Sequence, residues 1–316
     1  MPLNSPRFGH IAALVTILLW GTTYVSTKVL LEEFSPIEIL FTRFLIGFLV
    51  LSLVFPSRLR LKNRREVYLF IAAGISGITL YYLLENIALT MTTASNAGVI
   101  IALAPFFTAC LSYWLLKTEK PGAQFYIGFL CAITGICLIS GGSGGALSIN
   151  VWGDLLAALA ALVWAVYSVL VRKIGALGYN PIQATRRIFF YGLVGMIPVV
   201  ALMDFRLGLE RYADSVNLAN ILFLSLGASA LCFVTWNTAV KLLGAVKTSV
   251  YIYLSPVVTV VSAAIVLGER MTGVMIFGTC LTLAGLWLSE TKSLKWRLTP
   301  KNPLPGREEG LAEELK

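Results

Sequence analysis

Glu85 lies in the apolar run LLENIALTMTTASNAGVIIALAPFF (residues 83–107), and it is the one carboxylate set well inside a stretch of membrane-spanning length. A carboxylate at such depth is costly unless it meets water or a partner, which makes it a candidate carrier of a proton or a cation. The alternative is a structural ion pair, or a residue hydrated at the membrane surface. Arg43, two turns past Pro36, is the deepest basic residue. It can counter Glu85 or take an anionic group on a substrate, and helix packing against backbone carbonyls is the other reading. Asn86, beside Glu85, and the downstream pair Trp236 and Asn237 complete this set.

Polar and aromatic residues also recur at helical spacing. Trp20 and Tyr24 stand among Thr16, Thr23 and Thr27; Trp164 and Tyr167 stand beside Ser168; Tyr251 and Ser255 follow Thr248 and precede Thr259 and Ser262. Such stripes suit the wall of a hydrated cavity that also holds an apolar group. Taken singly, each residue also fits interhelical hydrogen bonding. Pro105 and Pro256 each remove a backbone hydrogen bond in mid-run, as a hinge or as a static bend.

Other chemistry is excluded. GGSGG (141–145) fits the letters of a hydrolase nucleophile elbow, but that motif needs a strand before it and a histidine in reach, and the one histidine, His10, falls at the opposite membrane face. The five cysteines all lie inside apolar runs, so neither a disulfide framework nor a metal site is expected. No cofactor and no enzymatic activity are expected.

These residues need elements to hold them, and composition names the kind. The 316 residues are 57% hydrophobic and 13% charged, with a mean hydropathy of +0.81, too little charge to cover a soluble domain. Ten spans are predicted: 10–31, 37–55, 67–87, 94–116, 123–140, 152–171, 183–203, 218–239, 245–267 and 273–290. The net charge of +9 does not mark a nucleic-acid partner, because the basic residues sit in loops beside the spans. They crowd one side, with Lys28, Arg206, Arg211 and Arg270 opposite, which places both termini in the cytoplasm.

The chain also repeats itself. A shift of 151 positions carries Asn86 to Asn237 and Pro105 to Pro256; one of 144 carries Trp20 to Trp164; one of 150 carries Gly128 and Gly135 to Gly278 and Gly285. Residues 1–140 and 152–290 therefore read as two five-helix units, with 141–151 a glycine-rich join and 291–316 a polar, largely disordered cytoplasmic tail. An odd number of spans per unit inverts the second copy, so the expected fold is all-α integral membrane, ten transmembrane helices as two inverted five-helix repeats. The small-residue faces around Gly128, Gly135, Gly278 and Gly285 are expected to pack within the monomer or across a homodimer.

The tryptophans Trp20 and Trp164, SPIEILFTRF, ENIALTMTTASNAGVIIALAPFF with LLKTEKP after it, and YLSPVVTVVSAAIVLGER together resemble the EamA family of the drug/metabolite transporter superfamily, over residues 10–290. The resemblance implies a secondary transporter of the inner, or cytoplasmic, membrane. Its expected partners are the lipid bilayer, a small-molecule substrate of the amino acid or derivative class, exported by alternating access, and protons if transport is coupled. A multidrug or cation antiporter and a passive channel are the alternatives.

Overall fold

The computed structural model describes residues 5–57, 59–91, 100–118, 121–142, 150–203, 205–206, 208–258, 261 and 272–295. Regular structure in these residues is helical. We number the helices α1, Pro6–Leu30; α2, Pro36–Val54; α3, Arg64–Met91; α4, Ala104–Leu115; α5, Ala123–Gly142; α6, Val151–Ala176; α7, Pro181–Leu202; α8, Ser215–Leu243; α9, Ala245–Val250; and α10, Gly273–Lys295. Five of them, α2, α3, α6, α7 and α8, are long and apolar enough to cross a membrane. The polar tail begins later than its composition suggests, because α10 runs on to Lys295; residues 296–316, and 143–149 of the glycine-rich join, lie outside the described residues.

Local chemistry sets the helix starts. Ser35 caps α2 in a reciprocal capping box with Glu38, and Pro36 supplies a first-turn residue whose missing N–H costs nothing there. Ser5 with Pro6 and Asn180 with Pro181 repeat the device at α1 and α7, and Asn63 and Asn150 cap α3 and α6. Large apolar side chains such as Leu53, Trp114, Leu130 and Leu202 point outward, the arrangement expected of a bundle solvated by lipid. Inside, Phe44, Phe189, Phe233, Trp236 and Tyr167 form a closed aromatic core.

Two packing relationships organise the bundle. Helix α1 lies along α8, and α3 lies along α6, so each half of the chain grips the other. Helices α5 and α10 meet backbone to backbone: a Cβ on Gly135 would strike Thr282 and the Gly278 carbonyl, and one on Gly128 would strike Ser289 and the Gly285 carbonyl. The small-residue faces thus meet each other within one chain.

Two helices change their winding. Helix α3 turns π-helical over Ile75–Leu80, and α8 does so over Phe223–Leu231. The extra residue per turn misaligns carbonyls from their intrahelical donors and frees them for other helices. The expected mid-helix proline kinks take another form. The chain turns at residues 102–103 and restarts as α4 with Pro105 in its first turn; a 3-10 turn, Tyr251–Leu254, precedes the helical residues that contain Pro256.

Polar clamps tie the halves together at both ends. At one end Arg211 grips Glu38 through two bonds, at 3.0 and 3.2 Å, and Arg206 N–H donates to the same carboxylate. The carboxylate in turn holds the Arg211 guanidinium above its already high range. At the other end Arg186 donates to the carbonyls of Phe55 and Ser57, and Gln183 donates to the Ser57 hydroxyl. Tyr179 there donates to Glu66 at 2.6 Å; burial and that carboxylate push its hydroxyl up to about 12, so it remains a donor at any physiological pH.

Candidate functional site

A cavity of about 60 Å3 opens between the halves. Its wall comes from α1 (Ile17, Trp20, Thr23, Thr27), α2 (Arg43), the last turns of α3 (Tyr81, Tyr82, Glu85, Asn86, Leu89), Ile101 before α4, Trp164 of α6, and Ile252 and Ser255 beyond α9. It therefore reaches from the middle of α1 towards the end that carries the Arg211–Glu38 clamp.

The aromatic side of this wall is rigid. Trp20 packs edge-on to Trp164 at 5.3 Å, and Trp164 meets Tyr81 at 4.7 Å. Trp20 is locked in place because its indole N–H donates to the carbonyl of Ala228, 2.9 Å away, within the π-helical stretch of α8. The buried indole N–H groups of Trp164 and Trp236 have no acceptor among the described residues.

The polar side is charged. Glu85 is 7% exposed and accepts a hydrogen bond from Tyr81, one turn before it, at 3.0 Å. Arg43 is 3% exposed; its Nε donates to the Ser229 hydroxyl at 2.9 Å, and its guanidinium lies 4.7 Å from the Tyr82 ring centre and 5.2 Å from that of Phe44. Asn86 donates to the carbonyl of Pro36 at 3.4 Å, close to the limit of a useful bond.

Eight residues singled out from the sequence thus share the cavity: Trp20, Thr23, Thr27, Arg43, Glu85, Asn86, Trp164 and Ser255. Tyr167, Trp236, Asn237 and Tyr251 do not line it, nor do Thr16, Ser168 and Thr248. Tyr167, Trp236 and Asn237 lie in the packed layer between the halves, where Tyr167 donates to Asn237 at 2.7 Å and Asn237 donates to Thr185 at 2.9 Å. Asn237 instead borders a second cavity of about 20 Å3, with Tyr179, Ala184 and Lys241. Tyr251 is turned away and pairs with His10 Nδ1 at 2.7 Å, which also places that histidine in a structural bond. The Tyr24 side chain, Thr259 and Ser262 lie outside the described residues.

The sequence reading missed Tyr81, Tyr82 and Ser229. The two tyrosines had a legible signal, since each stands one helical turn before Glu85 or Asn86 and shares its face. Ser229 had none, because its place against Arg43 depends on the π-helical winding of α8. Among the described residues no group of three or more acidic, histidine or cysteine side chains is arranged to hold a metal ion.

Comparison with known proteins bears on what such a cavity serves. The family model described as "EamA-like transporter family" matches the chain twice, over residues 7–141 and 151–291. An uncharacterized transporter of Archaeoglobus fulgidus is 29% identical over 289 residues, 90% of this chain and 97% of its own. A probable terminal-alkyne amino-acid exporter of Streptantibioticus cattleyicolor is 26% identical over 92% of this chain and 96% of its own. The uncharacterized inner membrane transporter YedA of Escherichia coli is 26% identical over 91% and 94%. A solved crystal structure matches with a TM-score of 0.76 at 19% identity, covering 91% of this chain and 98% of its own, and shares the fold.

Proposed function

The chain belongs to the EamA-like transporter family, and from that premise we propose that it is a secondary transporter exporting a small metabolite of the amino acid or derivative class by alternating access. It is a multi-pass membrane protein; we read its two family matches as two five-helix units of inverted topology, ten crossings in all, set in the inner membrane with both termini cytoplasmic. The observation that carries the reading is the cavity, which draws its wall from both halves and combines rigid indoles with one buried acid and one buried base. A binding site at the junction of two repeats is where rocking of one against the other exchanges access. The exporter name of the Streptantibioticus cattleyicolor relative supports the cargo class.

Glu85 is the proposed proton carrier, as a carboxylate inside the cavity with a tyrosine to orient it. The same carboxylate among aromatic rings supports a second reading, a cation antiporter. Counterflow in proteoliposomes decides between them. Efflux of a preloaded labelled amino acid accelerated by unlabelled amino acid outside supports the exporter; acceleration by organic cations alone supports the antiporter; flux without acceleration by either indicates a channel.

A further inference from the structure

We propose that Arg43 anchors a carboxylate of the cargo, so that the transported molecule is recognised first as a monoanionic acid. The inference rests on the exporter reading and names the group by which that site takes hold.

The argument begins with charge. A guanidinium buried in an apolar bundle requires compensation, and removal of its partner is strongly destabilising. The partners of Arg43 are the Ser229 hydroxyl, the Tyr82 side chain and the ring faces of Tyr82 and Phe44. Ring faces attract a cation through their quadrupole, but they carry no negative charge. Glu85 lines the same cavity, but as the proposed proton carrier it bears no charge once protonated; an anion in the cavity then supplies what the remaining partners do not.

Geometry then selects the anion. The Ser229 bond occupies Nε and fixes the guanidinium plane between α2 and α8; the two terminal nitrogens, beside Tyr82, are the remaining pair of donors. That pair matches the two oxygens of a carboxylate. Arg43 is the single cation and Glu85 the single carboxylate among the described residues lining the cavity, so with Glu85 protonated the wall carries one positive charge, which favours a monoanion over a phosphate dianion. Trp20, Trp164 and Tyr81 offer the facing surface for an apolar remainder. The anchor is also a joint, since Arg43 and Ser229 belong to different matches of the family model.

The test uses the full chain purified in detergent, with binding read from tryptophan fluorescence and separately from the thermal shift of unfolding. The probes are the twenty amino acids, each paired with its methyl ester, and a set of alkyl phosphates. The expected result is that at least one acid binds the wild type about tenfold or more tighter than its ester, and that Arg43→Gln brings the two within about twofold. Arg43→Lys keeps the charge and loses the fork; it is expected to retain preference for the acid at weaker affinity, and it serves if Arg43→Gln does not fold. Equal binding of acid and ester by the wild type, binding of phosphates in preference to carboxylates, or binding of no acid on the panel overturns the anchor. Acid binding that depends on Arg43 but gives no counterflow in proteoliposomes overturns the exporter reading and leaves the anchor standing. Counterflow without preference for the acid does the reverse.

Discussion

Asn86 and Asn237 hold matching places in the two halves, yet their side chains engage the neighbouring helix at different depths. Asn86 donates to the carbonyl of Pro36, the first residue of α2. Asn237 donates to Thr185, four residues past Pro181, the first residue of α7. Four residues are one helical turn, about 6 Å. The turn of difference coincides with unequal cavities, about 60 Å3 beside Asn86 and about 20 Å3 beside Asn237. Alternating access predicts that Asn237 can release Tyr167 and move its Nδ2 bond from Thr185 to the Pro181 carbonyl while the cavities trade sizes. Tyr167→Phe removes one of those bonds, worth about 1 kcal/mol. It is expected to raise labelling of a cysteine placed at Ala184 by a soluble maleimide about fivefold. Unchanged labelling would count against the exchange.

Glu85→Gln keeps the shape of the side chain and removes its proton. If Glu85 couples transport to protons, this variant loses pH-driven flux while counterflow at equal pH survives within about twofold. Loss of both activities in a folded, membrane-inserted protein would instead make Glu85 part of the binding site itself.

The Arg211–Glu38 clamp predicts an asymmetry in stability. Glu38 is 2% exposed, and Arg211 is the more open partner. Arg211→Gln therefore leaves a buried carboxylate with neutral donors, at a cost of about 2–4 kcal/mol, whereas Glu38→Gln leaves an arginine that can turn to solvent, at about 1–2 kcal/mol. Thermal unfolding in detergent checks the order. The double substitution is expected to be less damaging than the sum of the two, as a direct pair requires.

Gly135→Leu is expected to separate α5 from α10, because the atoms its Cβ would meet include a helix carbonyl that has no freedom to move. The expected loss is at least about 3 kcal/mol. Gly227→Ala is the control. Its Cβ would touch only the Phe223 ring, at 3.4 and 3.5 Å, and it should melt like the wild type.

Pro105→Ala and Pro256→Ala test the breaks that precede those prolines. Alanine at the first turn allows the helix to run back through the break and stiffens it. Turnover is expected to fall several-fold with binding unchanged, measured as counterflow rate against fluorescence titration. Equal rates would leave the breaks as fixed bends.

Much of this was legible in the sequence, for reasons that particular residues make plain. Starts near residues 36, 123, 151, 181 and 273 were readable because each apolar run begins there. The cavity charges were readable because an acid or a base inside an apolar run has few other uses. Winding was not. A π-helical stretch keeps the hydrophobic pattern of its sequence almost unchanged, and only contact with Trp20 and Arg43 from other helices shows what Ala228 and Ser229 are for. Tyr251 illustrates the converse limit. Tyr251 and Ser255 are spaced as one face of an α-helix, but the 3-10 turn over Tyr251–Leu254 is more tightly wound than an α-helix and rotates successive side chains further, and the tyrosine faces His10 instead.

The pairing of α5 with α10 has a consequence for synthesis. Gly128 and Gly135 are made early, but the surfaces they rest on, from Gly278 to Ser289, belong to α10 and leave the ribosome much later. Until then the first half holds an open backbone groove in the bilayer that fits one particular helix. A nascent chain stopped before Gly273 should therefore be a target for quality control, and should be rescued by co-expressing residues 272–295 as a separate peptide.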